Sequence, residues 1–576
     1  MNQKLENILN VSLDATEDEL RKADSLSTGY NWRDNTWEII VKYSGSLESI
    51  RNRYNVYIKE LLNYYAIIVA DKATIELISQ EDVIDYVEKP KSLYYQIERT
   101  KTAACVGSVR ADGNILSGKG VIVGVIDTGI DIFDNAFRNS DGTTRILNIY
   151  DQTTGKKYDK QSIDEYIRLN EDLSGGTFSY DNAPGVDNIM HGTDVSYIAA
   201  GSLGVAYEAD IIAVKMGYSI NNQFPRTTSL MDAIDYIIRK AIEYRKPVAV
   251  NISYGCNYGA HNGNTLLESF IDDISKSYRC VICVGSGNEA DKAIHFGGII
   301  NTGQVQTAYL SVGEYQSAID IQIWKNYWDT IDVMLINPRG EQIGIITEGR
   351  INRYETYNTE IITLLGEPSP YNIYQEIYIN LIPKTDYILS GIWQIVLMAG
   401  SIRAGEYNIW LPSSQALGYA TAFNNPTADG TITIPATARN CIAVGAYNAY
   451  TNSYAAFSGR GFDNSIRNVN AGVKPDITAP GVDISIARQR GNDITYRNVT
   501  GTSYAVPVVT GAAALLMQWG IVMGNDRFMY GEKLKAALID GSKPVGLVGI
   551  TRNDNQPDPR TGWGAVCLKN TLNKIL

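Results

Sequence analysis

Four polar residues, each beside an apolar segment, have the types that catalysis by a serine nucleophile requires. Asp127, His191, Asn288 and Ser503 offer a carboxylate, an imidazole, a side-chain amide and a hydroxyl. A serine attacks a carbonyl carbon when an imidazole takes its proton, a carboxylate orients that imidazole, and N–H groups stabilise the oxyanion. Together the four residues predict catalysis by a serine nucleophile.

Each of the four also has an ordinary structural interpretation. Asp127 follows a buried strand, where catalytic groups collect in parallel sheets, but an Asp before Gly129 also forms turns. Asn288 follows a glycine after another buried strand, where turn asparagines are common. His191 begins a predicted helix of small residues, and Ser503 stands where a serine would cap a helix. A helix start also disfavours imidazolium and stabilises an oxyanion. The joint occurrence of all four favours the catalytic interpretation.

Few residues of this chain can act as a base at neutral pH. The only histidines are His191, His261 and His295, and the last two lack any accompanying motif, so we interpret them as surface or packing residues. Cys280 and Cys283 have the spacing of a redox pair, but on a strand this offset places the two sulfurs on opposite faces. We therefore expect buried structural cysteines, no metal site and no cofactor.

The composition excludes several classes of function. The chain has 576 residues, with 63 acidic against 51 basic side chains and a net charge of -12, so it lacks the basic excess that nucleic acid or an anionic lipid surface attracts. Six cysteines are too few for a disulfide scaffold and suggest a reducing compartment. At roughly 150 residues per domain, more than one domain is expected.

No segment is expected to target the chain to a membrane or to export. Residues 1–20 lack the apolar core of a secretory signal, which predicts synthesis in the cytoplasm. The stretch between Arg497 and Asp526 carries no charge, but it contains Pro507 and several polar residues, so we predict a buried core helix rather than a membrane span.

The first part of the chain has the pattern of a ferredoxin-like α+β unit. Apolar alternation and helical periodicity predict the order strand, helix, strand, strand, helix, strand. The predicted elements are Trp37–Tyr43, Leu47–Arg53, Val56–Leu61, Tyr64–Ala70, Lys72–Ser79 and Val83–Glu88.

From Val121 onward the pattern changes to short strands that are apolar on both faces and alternate with helices. This pattern is typical of a parallel sheet covered on both sides, as in doubly wound α/β domains. The predicted strands are Val121–Ile126, Ile211–Val214, Val248–Ile252, Val281–Val284, Thr431–Ile434 and Cys441–Ala446.

An all-β module interrupts this α/β pattern between about residues 303 and 412. Alternating segments separated by turns predict a sandwich or jelly roll inserted into the α/β domain. Its predicted strands include Ala318–Trp324, Thr330–Ile336, Glu376–Ile382, Trp393–Leu397 and Tyr407–Leu411.

The motifs around Asp127, His191, Asn288 and Ser503, in this chain order, resemble those of the subtilisin-like serine proteases. The resemblance covers residues 100–300 and 420–570 and implies that Ser503 attacks a peptide carbonyl, His191 moves the proton and Asp127 holds the imidazole. Supporting strings are Asn251-Ile252-Ser253-Tyr254-Gly255, Lys474-Pro475-Asp476-Ile477-Thr478-Ala479-Pro480-Gly481 and Pro435-Ala436-Thr437-Ala438.

The resemblance also implies how a peptide is held. The Asn288 amide and the Ser503 backbone N–H would form the oxyanion hole. Ser253, Tyr254 and Gly255 would be the edge strand that pairs with an extended substrate, and Gly287 would also contact it. The second histidine of the usual His-Gly-Thr-His motif is Asp194 here, one turn after His191. Because that position is outside the triad, activity is still expected, but its fine tuning is open.

The same resemblance implies a role for the N-terminal unit. Subtilisin-like zymogens carry a ferredoxin-like prodomain that assists folding and places its C-terminal tail in the active site. We expect a prodomain over residues 1–96, catalytic parts over 97–300 and 421–576, and the β insert over 301–420. Self-cleavage is expected within one or two residues of the Gln96–Ile97 bond, with Leu93-Tyr94-Tyr95-Gln96 in the cleft.

The combined architecture is similar to the Csp germination proteases of spore-forming anaerobes. In that family the active members cleave the pro-form of a cortex-degrading hydrolase, and sister proteins are triad-deficient pseudoproteases. The resemblance thus implies a pro-form cortex hydrolase and sister pseudoproteases as partners, and the spore cortex or coat as the location. The intact triad residues place the chain with the active members. Two alternatives remain open: a housekeeping degradative subtilisin inside the cell, and a pseudoprotease that binds a germination signal or partner protein.

Overall fold

The N-terminal module is an antiparallel sheet with its helices on one side. The computed structural model describes residues 2–92, 94–95, 110–111, 114–172, 177–178, 182–217, 224–346, 349–462, 473–490, 493–546 and 557–576. The elements of this module are α1 (Asn7–Asp14), α2 (Glu17–Lys22), α3 (Asp24–Ser27), β1 (Tyr30–Asn31), β2 (Thr36–Tyr43), α4 (Glu48–Tyr54), β3 (Tyr57–Leu61), β4 (Tyr65–Ala70), α5 (Lys72–Ile78) and β5 (Ile84–Glu88).

The strand order of this sheet is that of the predicted ferredoxin-like unit. The sheet runs β3-β4-β2-β5, with the short strand β1 also paired to β2, and all pairs are antiparallel. Every predicted strand and helix is present with ends shifted by one or two residues at most. Helices α1, α2 and α3 precede the unit and were not predicted.

The first half of the α/β domain supplies most of the parallel strands. Its elements are β6 (Tyr94–Tyr95), β7 (Arg110–Ala111), β8 (Asn114–Ile115), β9 (Ile122–Asp127), β10 (Ile146–Asp151), β11 (Lys156–Asp159), α6 (Lys160–Asn170), β12 (Glu171–Asp172), β13 (Thr177–Phe178), α7 (His191–Ala200), β14 (Asp210–Lys215), α8 (Thr227–Tyr244), β15 (Val248–Ile252), β16 (Tyr254–Gly255), α9 (Leu266–Ser277) and β17 (Cys280–Gly285).

The inserted module is a sandwich of two antiparallel sheets around one apolar core. It begins at His295 and ends at Phe423, so it extends beyond the expected range 301–420 on both sides. Its strands are β18 (His295–Ile299), β19 (Val305–Val312), β20 (Ile319–Asn326), β21 (Ile331–Ile336), β22 (Gln342–Ile343), β23 (Ile351–Glu355), β24 (Thr359–Leu365), β25 (Tyr374–Pro383), β26 (Gly391–Ala399), β27 (Glu406–Trp410) and β28 (Ala422–Phe423).

The second half of the α/β domain completes the sheet and adds its longest buried helix. The predicted strand Thr431–Ile434 is wrong: only Ile434 forms a bridge, to Cys256, because the segment turns at once into Pro435. The elements are β29 (Ile442–Asn448), β30 (Ser453–Tyr454), β31 (Ile477–Pro480), β32 (Ile484–Arg490), β33 (Asp493–Val499), α10 (Thr502–Met517), α11 (Gly531–Asp540) and α12 (Leu568–Ile575).

The central sheet is parallel and covered by helices on both faces, which confirms the predicted fold class. Its parallel strands run in the order β10-β14-β9-β15-β17-β29-β31. Alternate side chains of β9 point to opposite faces of the sheet and both faces are buried, which explains why the strand is apolar up to Asp127. Val123 and Val125 pack in the core that contains α7 and α10, whereas Ile122 and Ile126 pack in the core that contains α8 and α9.

The N-terminal module packs against both other modules. One face of its sheet, including Ile40 and Tyr65, lies on α8 and α9, where the Tyr65 and Phe270 ring centroids are 5.2 Å apart. The other face shares a core with Leu364 and Tyr378 of the sandwich. The three modules are therefore joined by apolar contacts as well as by the chain.

The uncharged stretch near the end of the chain is a core helix. Among the described residues, Thr502–Val522 is the one helical segment long and apolar enough to cross a bilayer, and 89% of its most apolar window is buried inside the protein. Every residue of α10 is buried. The prediction of a core helix is confirmed.

Candidate active site

Asp127 ends strand β9 at the carboxyl edge of the parallel sheet, and His191 begins helix α7. Asp127 Oδ1 is 2.6 Å from His191 Nδ1 and also accepts a hydrogen bond of 2.8 Å from the Thr128 N–H. The two side chains are 1% and 2% exposed. A buried carboxylate at this distance holds the imidazole with Nδ1 toward it and Nε2 directed away.

The charge state of His191 follows from burial and from its neighbours. Burial disfavours the imidazolium form and is the largest single effect, but the carboxylates of Asp127, Asp194 and Asp187 together outweigh it. The pKa of His191 is therefore raised above its ordinary value.

Asp187 ties the Asp127 strand to the His191 helix. Its Oδ1 accepts hydrogen bonds from Thr128 Oγ1 and the Met190 N–H, both 2.7 Å, and its Oδ2 accepts two from Thr193, both 2.8 Å. Thr128 Oγ1 in turn accepts a 2.9 Å bond from the Gly192 N–H. Because Asp187 is 3% exposed, this network fixes the distance between the aspartate and the histidine.

Ser503 is the second residue of α10, two positions after the cap residue Gly501. The first-turn N–H groups of a helix point out of its end, which is the direction from which an oxyanion is stabilised. Pro507 lies in the second turn rather than the first, and it has no N–H to donate to the Ser503 carbonyl. That carbonyl instead accepts a 3.4 Å hydrogen bond from Ser253 Oγ, which places Ser253 beside Ser503.

Asn288 follows β17 and is anchored by the residue before Ser503. Its Oδ1 accepts hydrogen bonds from the Thr502 N–H, 3.0 Å, and from Thr502 Oγ1, 3.1 Å. Its Nδ2 is buried and has no hydrogen-bond partner among the described residues. A buried amide donor left over beside the Ser503 helix is what an oxyanion hole requires.

Gly287 supports this arrangement through its backbone. Its φ is +96°, and a Cβ there would lie 2.5 Å from Thr433 Cγ2, so only glycine fits. Its carbonyl accepts a 2.8 Å bond from the Gly459 N–H. The structure thus gives Gly287 a role in shaping the turn, while its contact with substrate stays a prediction.

The strand expected to bind substrate is paired with the chain that follows the N-terminal module. In β16, Tyr254 pairs with Tyr95 and Gly255 pairs with Tyr94, in an antiparallel register. In this register the step from Tyr94 to Tyr95 runs opposite the step from Gly255 to Tyr254, the residue after Ser253. Gln96 and Ile97, the predicted processing residues, lie outside the described residues.

Asp194, which replaces the second histidine of the motif, is buried and paired with arginine. Arg488 Nε lies 3.0 Å from Asp194 Oδ1, and Arg497 contacts Asp194 Oδ2. Burial raises the pKa of Asp194, while the two guanidinium groups favour its ionised form.

The remaining histidines pack on one tryptophan. His261 and His295 flank the indole of Trp410, with ring centroids 4.2 and 4.9 Å from it, and both are buried. Cys280 and Cys283 pack in the cores on opposite faces of the sheet, and burial raises the pKa of both thiols to about 12. The expected opposite orientation of the two cysteines is confirmed.

Three polar residues of the site were missed by sequence reasoning. Asp187 stands four residues before His191 and Thr502 directly precedes Ser503, so proximity to the motifs was the available signal. Arg488 lies far from His191 in the chain, and no local pattern marks it.

The fold is that of the subtilases. A subtilase family model matches residues 118–368 and 404–564, and a Csp protease B prodomain model matches residues 3–91. The chain therefore belongs to the subtilase family, whose members are serine endopeptidases, and it carries a prodomain of the Csp protease B type.

The structure of the CspB protease of Clostridium perfringens resembles this chain over most of its length. The two are 34% identical, the match covers 80% of this chain and 94% of that one, and the TM-score is 0.72. The chain is also 33% identical over 128 residues to the subtilase-type proteinase RRT12 of Saccharomyces cerevisiae and 34% identical over 120 residues to subtilisin-like protease 10 of Arthroderma otae. These matches span only 23% and 27% of the two curated relatives.

Proposed function

We propose that the protein is a self-cleaving serine endopeptidase that uses Asp127, His191 and Ser503 as its catalytic triad. The observation that carries the proposal is the buried 2.6 Å contact between Asp127 and His191, at the sheet edge where α10 also begins. Asn288, oriented by Thr502, supplies a side-chain donor to the oxyanion.

The chemistry follows from these positions. Ser503 Oγ attacks the peptide carbonyl carbon while its proton passes to His191 Nε2, and the oxyanion accepts hydrogen bonds from Asn288 Nδ2 and the Ser503 N–H. The C–N bond then breaks, and the amine leaves with the proton from His191. Water attacks the acyl-enzyme as His191 takes its proton, and the carboxylic acid product leaves as Ser503 regains its hydrogen.

The first substrate of the enzyme is its own chain. Residues 94–95 pair with β16 as an extended substrate would, and Tyr95 lies opposite Tyr254, the residue after Ser253, which lies beside Ser503. We propose cleavage after Gln96, within one or two residues, with the prodomain as a bound partner.

Intact mass measurement of the wild type beside Ser503→Ala tests this proposal. The wild type is expected to give two fragments cut near Gln96, and Ser503→Ala to remain whole. Ser453→Ala, in the exposed strand β30, is the matched control and should be cut. Cutting of both Ser503→Ala and wild type would remove Ser503 as the nucleophile. If both stay whole while a fluorophosphonate labels Ser503, the triad stands and self-cleavage fails.

The proposed physiological substrate is the pro-form of a cortex-degrading hydrolase during spore germination, with the spore cortex or coat as the location. The match of residues 3–91 to the Csp protease B prodomain and the similarity to the Clostridium perfringens protease support it. One defined cut in such a pro-hydrolase, with slow hydrolysis of casein, is the expected result. Broad casein cleavage would favour a degradative enzyme, and an unlabelled Ser503 would favour a binding protein.

A further inference from the structure

Helix α7 carries a second acidic residue one turn after the catalytic histidine. Asp194 is fully buried, and both of its carboxylate oxygens face guanidinium groups: Arg488 contacts Oδ1 through Nε and Nη2, and Arg497 contacts Oδ2. A buried carboxylate with two arginines is a charged cluster in a region of low dielectric, where its field reaches nearby groups.

Both arginines come from the hairpin that leads to the nucleophile. Strands β32 and β33 pair so that Arg488 lies opposite Thr495 and Ile486 opposite Arg497, which places the two arginines on the same face of the hairpin. Strand β33 ends at Val499, four residues before Ser503. The hairpin therefore connects the Asp194 contact directly to the segment that bears the nucleophile.

The same hairpin also holds the start of the His191 helix. Arg488 Nη2 donates a 2.9 Å hydrogen bond to the carbonyl of Met190, the residue before His191. Arg490 Nε donates a 2.7 Å bond to Asp131 Oδ2, in the turn after Asp127. The hairpin therefore contacts the residue before His191 and the turn after Asp127, and it leads directly into the segment that carries Ser503.

We propose that Asp194 is a positioning residue of the triad. Through Arg488 and Arg497 it fixes the hairpin that delivers Ser503 against the helix that carries His191, and its charge offsets the two guanidinium charges at the imidazole. This inference rests on the proposed triad.

The sign of the electrostatic effect follows from the charges that face His191. Asp127 from β9, Asp187 from the loop before α7 and Asp194 from α7 itself act on the imidazole. Arg488 and Arg497 contact Asp194, and the Arg490–Asp131 pair lies on the hairpin side. The Tyr504 ring of α10 packs on His191, with the two ring centroids 5.3 Å apart. Loss of the Asp194 charge leaves two guanidinium groups and disfavours the imidazolium. Loss of the Arg497 charge favours it.

Two substitutions that open the same ion pair therefore move the histidine in opposite directions. Asp194→Asn is expected to lower the pKa of His191, and Arg497→Gln to raise it, each by about 0.5–1 pH unit. A purely structural contact would shift both variants the same way or not at all. In addition, kcat is expected to fall roughly 10- to 100-fold in both, with KM little changed, because the nucleophile is misplaced.

Histidine NMR on the full chain measures the pKa of His191 without relying on activity. The chain has only three histidines, so ¹⁵N-histidine labelling in a Ser503→Ala background gives a titration for each ring, and His191→Gln assigns one of them. Fluorophosphonate labelling rates against pH in the active protein give the second readout. Failure of wild type to label would contradict the triad, whereas parallel shifts in the two variants would overturn only the present inference.

Matched controls separate charge from folding. Asp540→Asn and Lys574→Gln change the same charges in an exposed pair 2.8 Å apart and should leave the His191 titration unchanged. Arg497→Lys keeps the charge and should retain the wild-type pKa. If Asp194→Asn does not fold, an unshifted His191 in folded Arg497→Gln overturns the proposal by itself.

Discussion

At the scale of single residues, His191 is the group whose charge controls the proposed reaction. The imidazole must be uncharged to take the Ser503 proton, and its pKa is raised because Asp127, Asp194 and Asp187 outweigh the effect of burial. Activity should therefore be lost as the pH falls through a value above the ordinary imidazole pKa of about 6.5.

The pH dependence of kcat/KM for a peptide ester checks this prediction. The midpoint of the acid limb is expected above about 6.5, since the shift is upward. Profiles at two salt concentrations provide the control, because the 2.6 Å contact with Asp127 is buried and salt should move the midpoint only slightly. A midpoint below the ordinary value would contradict the assignment of His191 as the base.

Asn288 makes a second prediction at this scale. Asn288→Ala removes the Nδ2 donor, and kcat is expected to fall by about 10²–10³-fold with KM little changed, because the donor acts on the oxyanion of the transition state. This magnitude was measured for an oxyanion-hole asparagine in a subtilisin and is carried over from the family. The exposed Asn301→Ala is the control. A parallel rise in KM without a loss of kcat would argue for ground-state binding instead.

At the scale of elements, two carboxylates of the prodomain bind the N-terminal ends of helices α8 and α9 in the α/β domain. Glu88 Oε2 accepts a 2.7 Å hydrogen bond from the N–H of Leu266, the first residue of α9, and Glu38 accepts one from Thr228 in the first turn of α8. Negative charge at helix starts is favourable, so these contacts fix the prodomain sheet on the two helices.

Lys91 is the counter-ion of this contact, and its removal gives a prediction for the element. Its Nζ is 2.7 Å from Glu6 Oε1 and 2.5 Å from Glu88 Oε1, and its side chain is 5% exposed. Lys91→Met removes the counter-ion of Glu6 and of the buried Glu88, which should lower the free energy of unfolding by about 3–5 kcal/mol. Urea unfolding of uncut Ser503→Ala protein measures the change.

The control for Lys91 is a lysine in an exposed ion pair. Lys384 lies 2.8 Å from Glu355, whose side chain is 74% exposed, so Lys384→Gln should change stability little. Equal unfolding midpoints for Lys91→Met and its parent would show that the Glu6–Lys91–Glu88 cluster does not hold the prodomain in place.

At the scale of the whole molecule, a large β insert separates Asn288 from Ser503 in sequence without separating them in space. The sandwich enters and leaves the α/β domain at neighbouring points, because the Phe423 N–H donates a 2.9 Å hydrogen bond to the carbonyl of Ala293. An insert whose ends are adjacent adds to the chain without displacing what flanks it. The 3.0 Å contact between Asn288 and Thr502 therefore persists across the insertion.

Most of the strands and helices, and the chemical groups of the candidate site, could be predicted from local sequence patterns. Strands such as β9 and β15 are apolar on both faces, and the ferredoxin-like unit has clear local periodicities, so their bounds were predicted to within one or two residues. Asp127, His191, Asn288 and Ser503 were found because each stands at the end of such an element. The strand predicted at Thr431–Ile434 was wrong because only Ile434 forms a bridge, to Cys256, before the chain turns at Pro435, and periodicity does not encode which segment a run pairs with.

Contacts between side chains that are distant in the chain became visible only in the folded protein. Asp187 joins the segments after Asp127 and His191, and Asp194 pairs with Arg488, a residue 294 positions away in the chain. Likewise, the pairing of residues 94–95 with β16 places the prodomain tail on the expected substrate strand. Periodicity reports the face that one element buries, whereas an ion pair between two elements depends on how both pack against the sheet, and that arrangement is a property of the complete fold.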